Sequence, residues 1–301
     1  EAVGTIRKKR IKAIELFSMF AQERANTGRI YLQNVDHCNT HSPFDPKVAP
    51  IRQSNLCLEI ALPTKPLKHL YDEEGEIALC ILSAINVGTI RSVDDLEELC
   101  ELAVRALEEI IDYQKYPIKA AELSTKARRS LGVGYIGLAH YLATNKVNYA
   151  DPKAWKLVHD LTEAFQYYLL TASNKLAQER GACEYFNRTK YSDGILPIDT
   201  YKKDLDKIVK RKLSYDWKQL RKDIQEHGLR HSTLSAQMPS ESSSVVSNAT
   251  NGIEPPRDYL SIKKSKKGTL KQVVPQYSML KNNYTLLWDM TSNEGYIKVV
   301  A

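Results

Sequence analysis

The segment "RQSNLCLEIALP", residues 52–63, places three polar side chains at alternate positions between aliphatic residues. They are Asn55, Cys57 and Glu59, an amide, a thiol and a carboxylate. Side chains of an extended segment alternate between its two faces, so this spacing predicts that all three lie on one side. An edge strand with its polar face in water would show the same alternation, although a cysteine is unusual on such a face.

These three groups suit hydrogen-atom chemistry. A carboxylate two residues from Cys57 on the same face favours the neutral S–H form of the thiol. A neutral thiol is a poor nucleophile, but it can give up and recover a hydrogen atom. Glu59 could then act as a general base toward a substrate hydroxyl, and Asn55 could orient that substrate.

A second chemical motif is "PSESSS", residues 239–244, which lies where a helix is predicted to begin. Ser240 suits the N-cap position, and the free N–H groups of a first helical turn, with the adjacent hydroxyls, can bind an anion such as phosphate. A plain capping segment without a ligand explains these residues equally well.

Two further motifs are weaker. "GVGYIG", residues 132–137, matches the glycine pattern of dinucleotide-binding loops, but the basic "STKARRSL" before it is a poor strand and no acidic residue follows in the required place. Close backbone packing is therefore the preferred explanation of its glycines. His37, Cys38 and His41 in "DHCNTH" have no second pair of ligands at zinc-site spacing, so we predict a loop fixed by its own hydrogen bonds and no metal site.

Composition indicates an ordinary globular protein, since 43% of the 301 residues are hydrophobic and 26% are charged. The five cysteines are an odd number without C-x-x-C spacing, which argues against a disulfide scaffold. We find neither a membrane-spanning run nor a signal peptide and expect a cytoplasmic protein. The net charge of +7 comes from basic runs without interleaved aromatic residues, so a polyanionic small molecule suits it better than nucleic acid.

Hydrophobic periodicity predicts the elements that position these residues. Helices are expected over 5–25, 93–114 and about 153–180, the last ended by Gly181. Strand-like runs are expected at 29–35, at 76–88 with a turn, and at 293–301, and a loop is expected at 36–50. The helix at 93–114 carries an apolar stripe formed by Leu96, Leu99, Cys100, Ala103, Leu107 and Ile110.

Because neither end of the chain has the character of a natural terminus, we expect a partial sequence or one piece of a split protein.

Several long segments, taken in order, resemble the large, catalytic subunit of class I ribonucleoside-diphosphate reductase. They include "GRIYLQNVDHCNTHSPFDP", "RQSNLCLEIALPTKPL", "GEIALCILSAINVG", "RRSLGVGYIGLAHYL" and "HGLRHSTLSAQMPSESSSVVSNATNGIEPPR". The resemblance runs along essentially all 301 residues. It implies an α/β fold, the second half of a ten-stranded α/β barrel with the catalytic cysteine on a central finger loop. Residues 1–301 would form a single incomplete barrel domain, without the N-terminal ATP-cone and the first half of the barrel.

The resemblance also implies roles for single residues. Cys57 corresponds to the cysteine that becomes a transient thiyl radical and takes the 3′ hydrogen of the ribonucleotide. Glu59 resembles the residue that accepts the 3′-hydroxyl proton, and Asn55, with Ser54 beside it, resembles residues that bind the substrate. Cys80 resembles one half of the redox-active cysteine pair that reduces the sugar and is left as a disulfide. The residues expected to hold the substrate phosphates are Ser240, Glu241, Ser242 and Ser243.

The implied activity is the reduction of ribonucleoside diphosphates to deoxyribonucleoside diphosphates for DNA synthesis. The chain itself would bind no cofactor; a di-iron tyrosyl-radical small subunit would supply the radical, and ATP and deoxynucleotide effectors would bind parts not present here. Further expected partners are the missing N-terminal part of the subunit and thioredoxin or glutaredoxin, but neither nucleic acid nor membrane. Alone, the chain is expected to be inactive, and a non-catalytic assembly or nucleotide-binding module is the alternative.

Overall fold

The computed structural model describes residues 8–28, 30–79, 81–210, 212–265 and 268–301. Two compact units divide between Asn34 and Val35. The described residues of the smaller unit contain one helix, α1 (Ala13–Thr27), none of whose residues is buried. It ends at Gly28, which adopts a left-handed conformation and donates its N–H to the carbonyl of Arg24.

Parallel strands form the centre of the larger unit. Strands β1 (Leu82–Asn86) and β2 (Gly132–Ile136) pair in parallel, with Leu82 opposite Gly132. A third segment, residues 233–236, runs parallel to β2 on its other side. The N–H of Val133 donates to the carbonyl of Leu234 at 2.7 Å, and the N–H of Ala236 donates to the carbonyl of Val133 at 3.0 Å.

Helices connect these parallel strands, which is the α/β arrangement that the sequence predicted. The helices of this unit are α2 (Val35–His41), α3 (Asp95–Tyr113), α4 (Lys119–Arg128), α5 (Leu138–Thr144), α6 (Pro152–Arg180), α7 (Pro197–Thr200), α8 (Trp217–His227), α9 (Glu241–Val246), α10 (Tyr277–Leu280) and α11 (Glu294–Val300). Short 3₁₀ helices lie at Val87–Thr89, Phe186–Arg188, Lys190–Asp193, Lys203–Lys207, Lys281–Asn283 and Leu287–Asp289.

A two-stranded antiparallel hairpin, β3 (Leu260–Ser265) and β4 (Gly268–Val273), follows α9 along the chain. Gln272 attaches it to α9 by donating its side-chain amide to the carbonyls of Ser244 and Ala249, at 3.3 and 3.2 Å.

The two longest helices match their predictions closely. Helix α6 ends at Gly181, as expected, and begins with the Asp151 side chain accepting the N–H of Lys153 at 2.8 Å. The buried residues of α3 include Leu96, Cys100, Val104, Leu107 and Ile111. This face follows the i, i+4, i+8, i+11, i+15 spacing of a helix, so the inclusion of Ile110 in the stripe was wrong: it is turned about 100° away and is 45% exposed.

Three predictions of local structure were wrong, and for the first of them a contact between distant residues decides the structure. The segment predicted as a loop at 36–50 begins with α2, which contains His37, Cys38 and His41. The ammonium group of Lys190 binds three carbonyls at the end of that helix, those of Asn39, Thr40 and Ser42, at 2.8 to 2.9 Å.

The strand predicted at 293–301 is the helix α11. An ion pair of 2.6 Å between Lys298 and Glu294 supports it at helical spacing, and Gly295 and Val299 form its buried side. The strand-like run predicted at 29–35 forms no strand over residues 30–34, and Val35 already belongs to α2.

Two glycines of "GVGYIG", Gly132 and Gly134, lie within the fully buried strand β2, whereas Gly137 follows the strand as the left-handed N-cap of α5, with φ +84°. A Cβ on Gly132 would lie 2.5 Å from Cδ2 of Leu82 and 2.9 Å from Cδ1 of Ile60, and a Cβ on Gly134 would overlap the carbonyl oxygen of Ala236. Close backbone packing is thus confirmed as the role of these glycines.

A buried carboxylate joins α3 to the ends of two other segments. Glu108 is fully buried and accepts hydrogen bonds from Arg129 at 2.7 Å, Arg230 at 2.7 Å and His231 at 3.0 Å. Burial alone would raise the pKa of Glu108, but the hydrogen bonds from His231, Arg129 and Arg230 outweigh it and lower the pKa to about 2. Glu108 therefore fixes α3 to the start of β2 and to the third segment.

Replacing Glu108 with Gln should destabilise the chain strongly, because it leaves buried guanidinium groups without a counter-charge. We expect the free energy of unfolding in urea at pH 7 to fall by about 3 kcal/mol. The folded-state pKa lies below the ordinary value of 4.5, so the contribution of Glu108 is complete above about pH 4.5 and is lost as the pH falls toward 2. The difference in the free energy of unfolding between wild type and Glu108→Gln should therefore become smaller as the pH falls over that range.

Glu109→Gln is the matched control, since Glu109 is 63% exposed on the same helix and pairs with Arg180 at 2.6 Å. Removal of this exposed ion pair should lower the free energy of unfolding by about 0–1 kcal/mol. Equal losses for the two variants would contradict the role assigned to Glu108.

The glycines of β2 give a second prediction. Gly134→Ala should lower the free energy of unfolding by roughly 1–3 kcal/mol, because its methyl group meets a backbone carbonyl that cannot move without displacing the third segment. Gly132→Ala should cost less, because its closest neighbours are the ends of flexible side chains. Urea unfolding of both variants tests this order, and a Gly134→Ala variant as stable as wild type would refute it.

Candidate active site

Residues 55–60 form a closed loop around Cys57 rather than an extended segment. The backbone N–H of Asn55 donates to the carbonyl of Ile60 at 3.1 Å, and the N–H of Leu58 donates to the carbonyl of Asn55 at 3.3 Å. The side-chain oxygen of Asn55 accepts the N–H of Ile60 at 3.0 Å. The expectation of straight alternation was therefore wrong at residues 56–58, where the chain turns and exposes Cys57.

The turn depends on an uncommon backbone conformation at Leu58, whose φ is +70°. A residue with a bulky side chain rarely adopts positive φ, and it does so only where surrounding contacts hold it there. Here the hydrogen bonds of Asn55 close the loop on both sides of Leu58. Residue spacing alone carried no signal for this turn.

Both stems of the loop are fixed in a small apolar cluster. Ile51, Ile60 and Leu62 are buried there, together with Phe44, Ala49 and Ala236. The Asn39 side chain also binds the backbone N–H and carbonyl of Ile51, each at 2.8 Å. The exposed thiol is thus carried on a tip whose two ends are anchored.

Two cavities adjoin the loop. Glu59 lines a cavity of about 970 Å³, together with Tyr135, Ser235 and Gln237. Ser54 and Asn55 line a second cavity of about 460 Å³, whose other wall includes residues 76–79. Cys57 lines neither of these two cavities. The structure therefore brings Ser54 and Asn55 to the segment that leads to position 80, and it turns Glu59 toward a different space.

Cys80 lies outside the described residues, but the chain on both sides of it is described. The hydroxyl of Ser124 donates to the carbonyl of Ile77 at 2.6 Å, and Arg128 forms an ion pair with Glu76. After Cys80, the carbonyl of Ile81 accepts the N–H of Gly132 at 2.9 Å.

The predicted phosphate segment contains the start of α9. Ser240 occupies the N-cap position as expected, but it is left-handed with φ +48° and its side chain makes no capping bond. Glu241, Ser242 and Ser243 form the exposed first turn, whose N–H groups have no intrahelical acceptor. The hydroxyl groups and N–H groups here can accommodate an anion.

Sequence reasoning missed two residues near this segment. Lys263 of β3 lies 3.5 Å from the carboxylate of Glu241 and brings a cation to the start of α9. Gln237 binds both backbone groups of Tyr135, donating to the carbonyl at 2.6 Å and accepting from the N–H at 3.3 Å. Gln237 thereby takes the place of a strand partner just before the chain enters the phosphate segment, and no sequence pattern indicates this role.

Among the described residues, no three His, Cys, Asp or Glu side chains are grouped closely enough to hold a metal ion. No helix in the described part of the chain combines the length and apolar character that crossing a membrane requires.

Parallel strands joined by helices, with a thiol-bearing loop packed against them, define an α/β protein with a candidate active site at the loop. The chain belongs to the ribonucleotide reductase family, because residues 1–295 match the family model described as the ribonucleotide reductase barrel domain.

Similar proteins carry the corresponding names. The chain is 67% identical over 297 residues to ribonucleoside-diphosphate reductase subunit alpha of Haemophilus influenzae, covering 99% of this chain and 39% of that protein. It is 64% identical over 301 residues to ribonucleoside-diphosphate reductase 1 subunit alpha of Escherichia coli, covering 100% and 40%. The corresponding subunit of Chlamydia trachomatis is 30% identical over 293 residues, covering 93% and 27%. The chain spans about two fifths of the length of the first two relatives.

The role of Asn55 in closing the loop can be tested by hydrogen exchange. Asn55→Ala removes the acceptor of the Ile60 N–H, so this amide should exchange about fivefold faster, as expected for one lost hydrogen bond of about 1 kcal/mol. Asn55→Asp keeps an acceptor oxygen at the same place and should retain the protection. Equal exchange of the Ile60 amide in wild type and in Asn55→Ala would show that the side chain does not hold the loop.

Proposed function

We propose that the chain is part of the catalytic subunit of a ribonucleoside-diphosphate reductase and that it carries residues which reduce the ribose of ribonucleoside diphosphates. Membership of the family supports this proposal. So do the relatives' names, although the chain spans only about two fifths of their length. The observation that carries the proposal is the exposed thiol of Cys57 on a loop whose stems are buried, with a carboxylate two residues away.

The proposed reaction begins and ends at Cys57. Its thiyl radical takes the hydrogen atom from C3′ of the ribose, so that the C3′–H bond breaks and an S–H bond forms. Glu59 accepts the proton of the 3′-hydroxyl, and Asn55 and Ser54 bind the substrate. After the 2′-hydroxyl has left as water, Glu59 returns the proton to the 3′-oxygen, and Cys57 returns a hydrogen atom to C3′ and recovers its radical.

The reducing electrons come from a cysteine pair of which Cys80 is one member. Two thiols supply two hydrogen atoms and become a disulfide, which balances the replacement of one hydroxyl by hydrogen. Support for this part comes from the cavity that Ser54 and Asn55 share with residues 76–79, since Leu79 directly precedes Cys80 in the chain.

The substrate phosphates are assigned to Ser240, Glu241, Ser242 and Ser243. The Glu241 carboxylate would repel phosphate if it pointed at it, but its ion pair with Lys263 reduces this cost and adds a cation nearby. The backbone N–H groups of the first turn of α9 then supply the hydrogen bonds.

The wider assembly follows from the same proposal. The chain is the second half of a ten-stranded barrel with Cys57 on its finger loop, and it acts with the remaining part of the subunit in the cytoplasm. A di-iron tyrosyl-radical small subunit generates the radical, effector nucleotides bind elsewhere, and thioredoxin or glutaredoxin reduces the disulfide. The three parallel segments joined by helices support the barrel assignment.

The proposal can be tested in the complete catalytic subunit, reconstituted with its small subunit. Cys57→Ser should lower the reduction of cytidine diphosphate by at least roughly three orders of magnitude, because a hydroxyl does not form a radical that can replace the thiyl. Cys183→Ala is the control: Cys183 is also a thiol, but it is buried in the interior, and its removal should leave most of the activity. Undiminished activity of Cys57→Ser would favour a non-catalytic assembly or nucleotide-binding module instead.

A further inference from the structure

Arg128, the last residue of α4, has an incompletely bound guanidinium group in the protein interior. Its side chain is 5% exposed, and Nη2 forms an ion pair with Glu76. The guanidinium carbon lies 5.8 Å from the ring centre of Phe44 and 5.1 Å from that of Tyr185. Among the described residues, Nε and Nη1 have no hydrogen-bond partner.

A second incompletely bound group lies one helical turn earlier. Thr125 is 5% exposed, and its hydroxyl has no partner within the described ranges. Residues three apart in a helix share a face, so Thr125 and Arg128 point to the same side of α4. Both line one small cavity of about 10 Å³. The other residues around that cavity are Leu62, Pro63, Ile77, Ala78, Leu79, Ser124 and Ser130.

The contents of this cavity are limited by its size and by its donors. Buried donors of a charged group are almost always hydrogen-bonded in folded proteins, because leaving them bare is costly. The volume of about 10 Å³ is close to that of one water-sized probe and therefore matches a single water molecule. A cation would be repelled by Arg128, and an apolar occupant would satisfy neither side chain.

We propose that one buried water molecule occupies this cavity as a permanent part of the structure. It accepts a hydrogen bond from Arg128 and donates one to the hydroxyl of Thr125. The water thus fixes the guanidinium group that holds Glu76, next to Ala78 and Leu79 in the cavity wall. This step rests on the proposed function. The bound water makes Arg128 and Thr125 positioning residues for the segment that leads to Cys80.

The water is tested by crystal structures of the complete catalytic subunit at a resolution that shows ordered solvent. We expect one ordered water within hydrogen-bonding distance of Arg128 and Thr125 in wild type. Thr125→Val, which keeps the shape of the side chain and removes its oxygen, should lose the water, whereas Thr125→Ser should retain it. An empty cavity in wild type, a protein side chain filling it, or a water that persists in Thr125→Val would overturn the proposal.

The positioning role has a separate readout. Thr125 is not among the residues proposed to bind the substrate, so Thr125→Val should lower kcat several-fold and leave KM for cytidine diphosphate unchanged, while Thr125→Ser should match wild type. Unchanged kcat in Thr125→Val would overturn the positioning role. If the wild-type subunit failed to reduce the substrate at all, the proposed function would fail, yet the electron density would still decide whether the water is present. If Thr125→Val does not fold, the electron density of the wild-type subunit still decides whether the water is present.

Discussion

Close backbone approach at β2 is the constraint on which the candidate site depends. Gly134 lets the carbonyl of Ala236 come up against the strand, and Gly132 leaves room for the side chain of Ile60. The first contact positions the third segment, which leads into the predicted phosphate segment. The second contact positions the stem of the loop that carries Cys57. Because both neighbours use the space of absent side chains on one short strand, a glycine pattern that resembles a nucleotide-binding loop serves here to bring separate parts of the chain together at the candidate site.

Two carboxylates, the buried Glu108 and the partly buried Glu76, also hold these segments in place through ion pairs. Glu108 joins α3 to the residues before β2 and before the third segment, while Glu76 joins the approach to Cys80 to α4. Ion pairs of this kind add little to stability compared with apolar packing, since each charge must lose its water. Their directional hydrogen bonds, however, allow only one relative placement of the joined segments, which a site made from distant residues requires.

Local sequence patterns predicted the elements whose structure is decided locally. Helices α3 and α6 and the strand β1 follow from periodicity, caps and a terminal glycine. Spacing also singled out Asn55, Cys57 and Glu59, and the resemblance added Cys80 and the roles of these residues. The turn at Leu58, the helix α2 and the helix α11 escaped prediction. In α2 the ammonium group of Lys190, about 150 positions along the chain, binds the last carbonyls. At Leu58 the decisive bond comes from a side chain that had been interpreted only as a substrate ligand. Contacts of this sort are not encoded in spacing.

A loop that carries a reactive sulfur must reconcile access with rigidity. In the proposed function the sulfur of Cys57 has to reach a sugar, so the tip of the loop cannot be buried, yet a radical carrier that moved freely could react with neighbouring side chains. The 52–60 segment separates these demands along its length, because Ile51 and Ile60 are buried and hydrogen-bonded while Cys57 between them is exposed. Asn55 closes the loop with its side-chain oxygen, and in the proposed function it also binds the substrate. A strictly extended strand would have given access to all three polar groups but would have lacked the cross-loop bonds that keep the sulfur in one position.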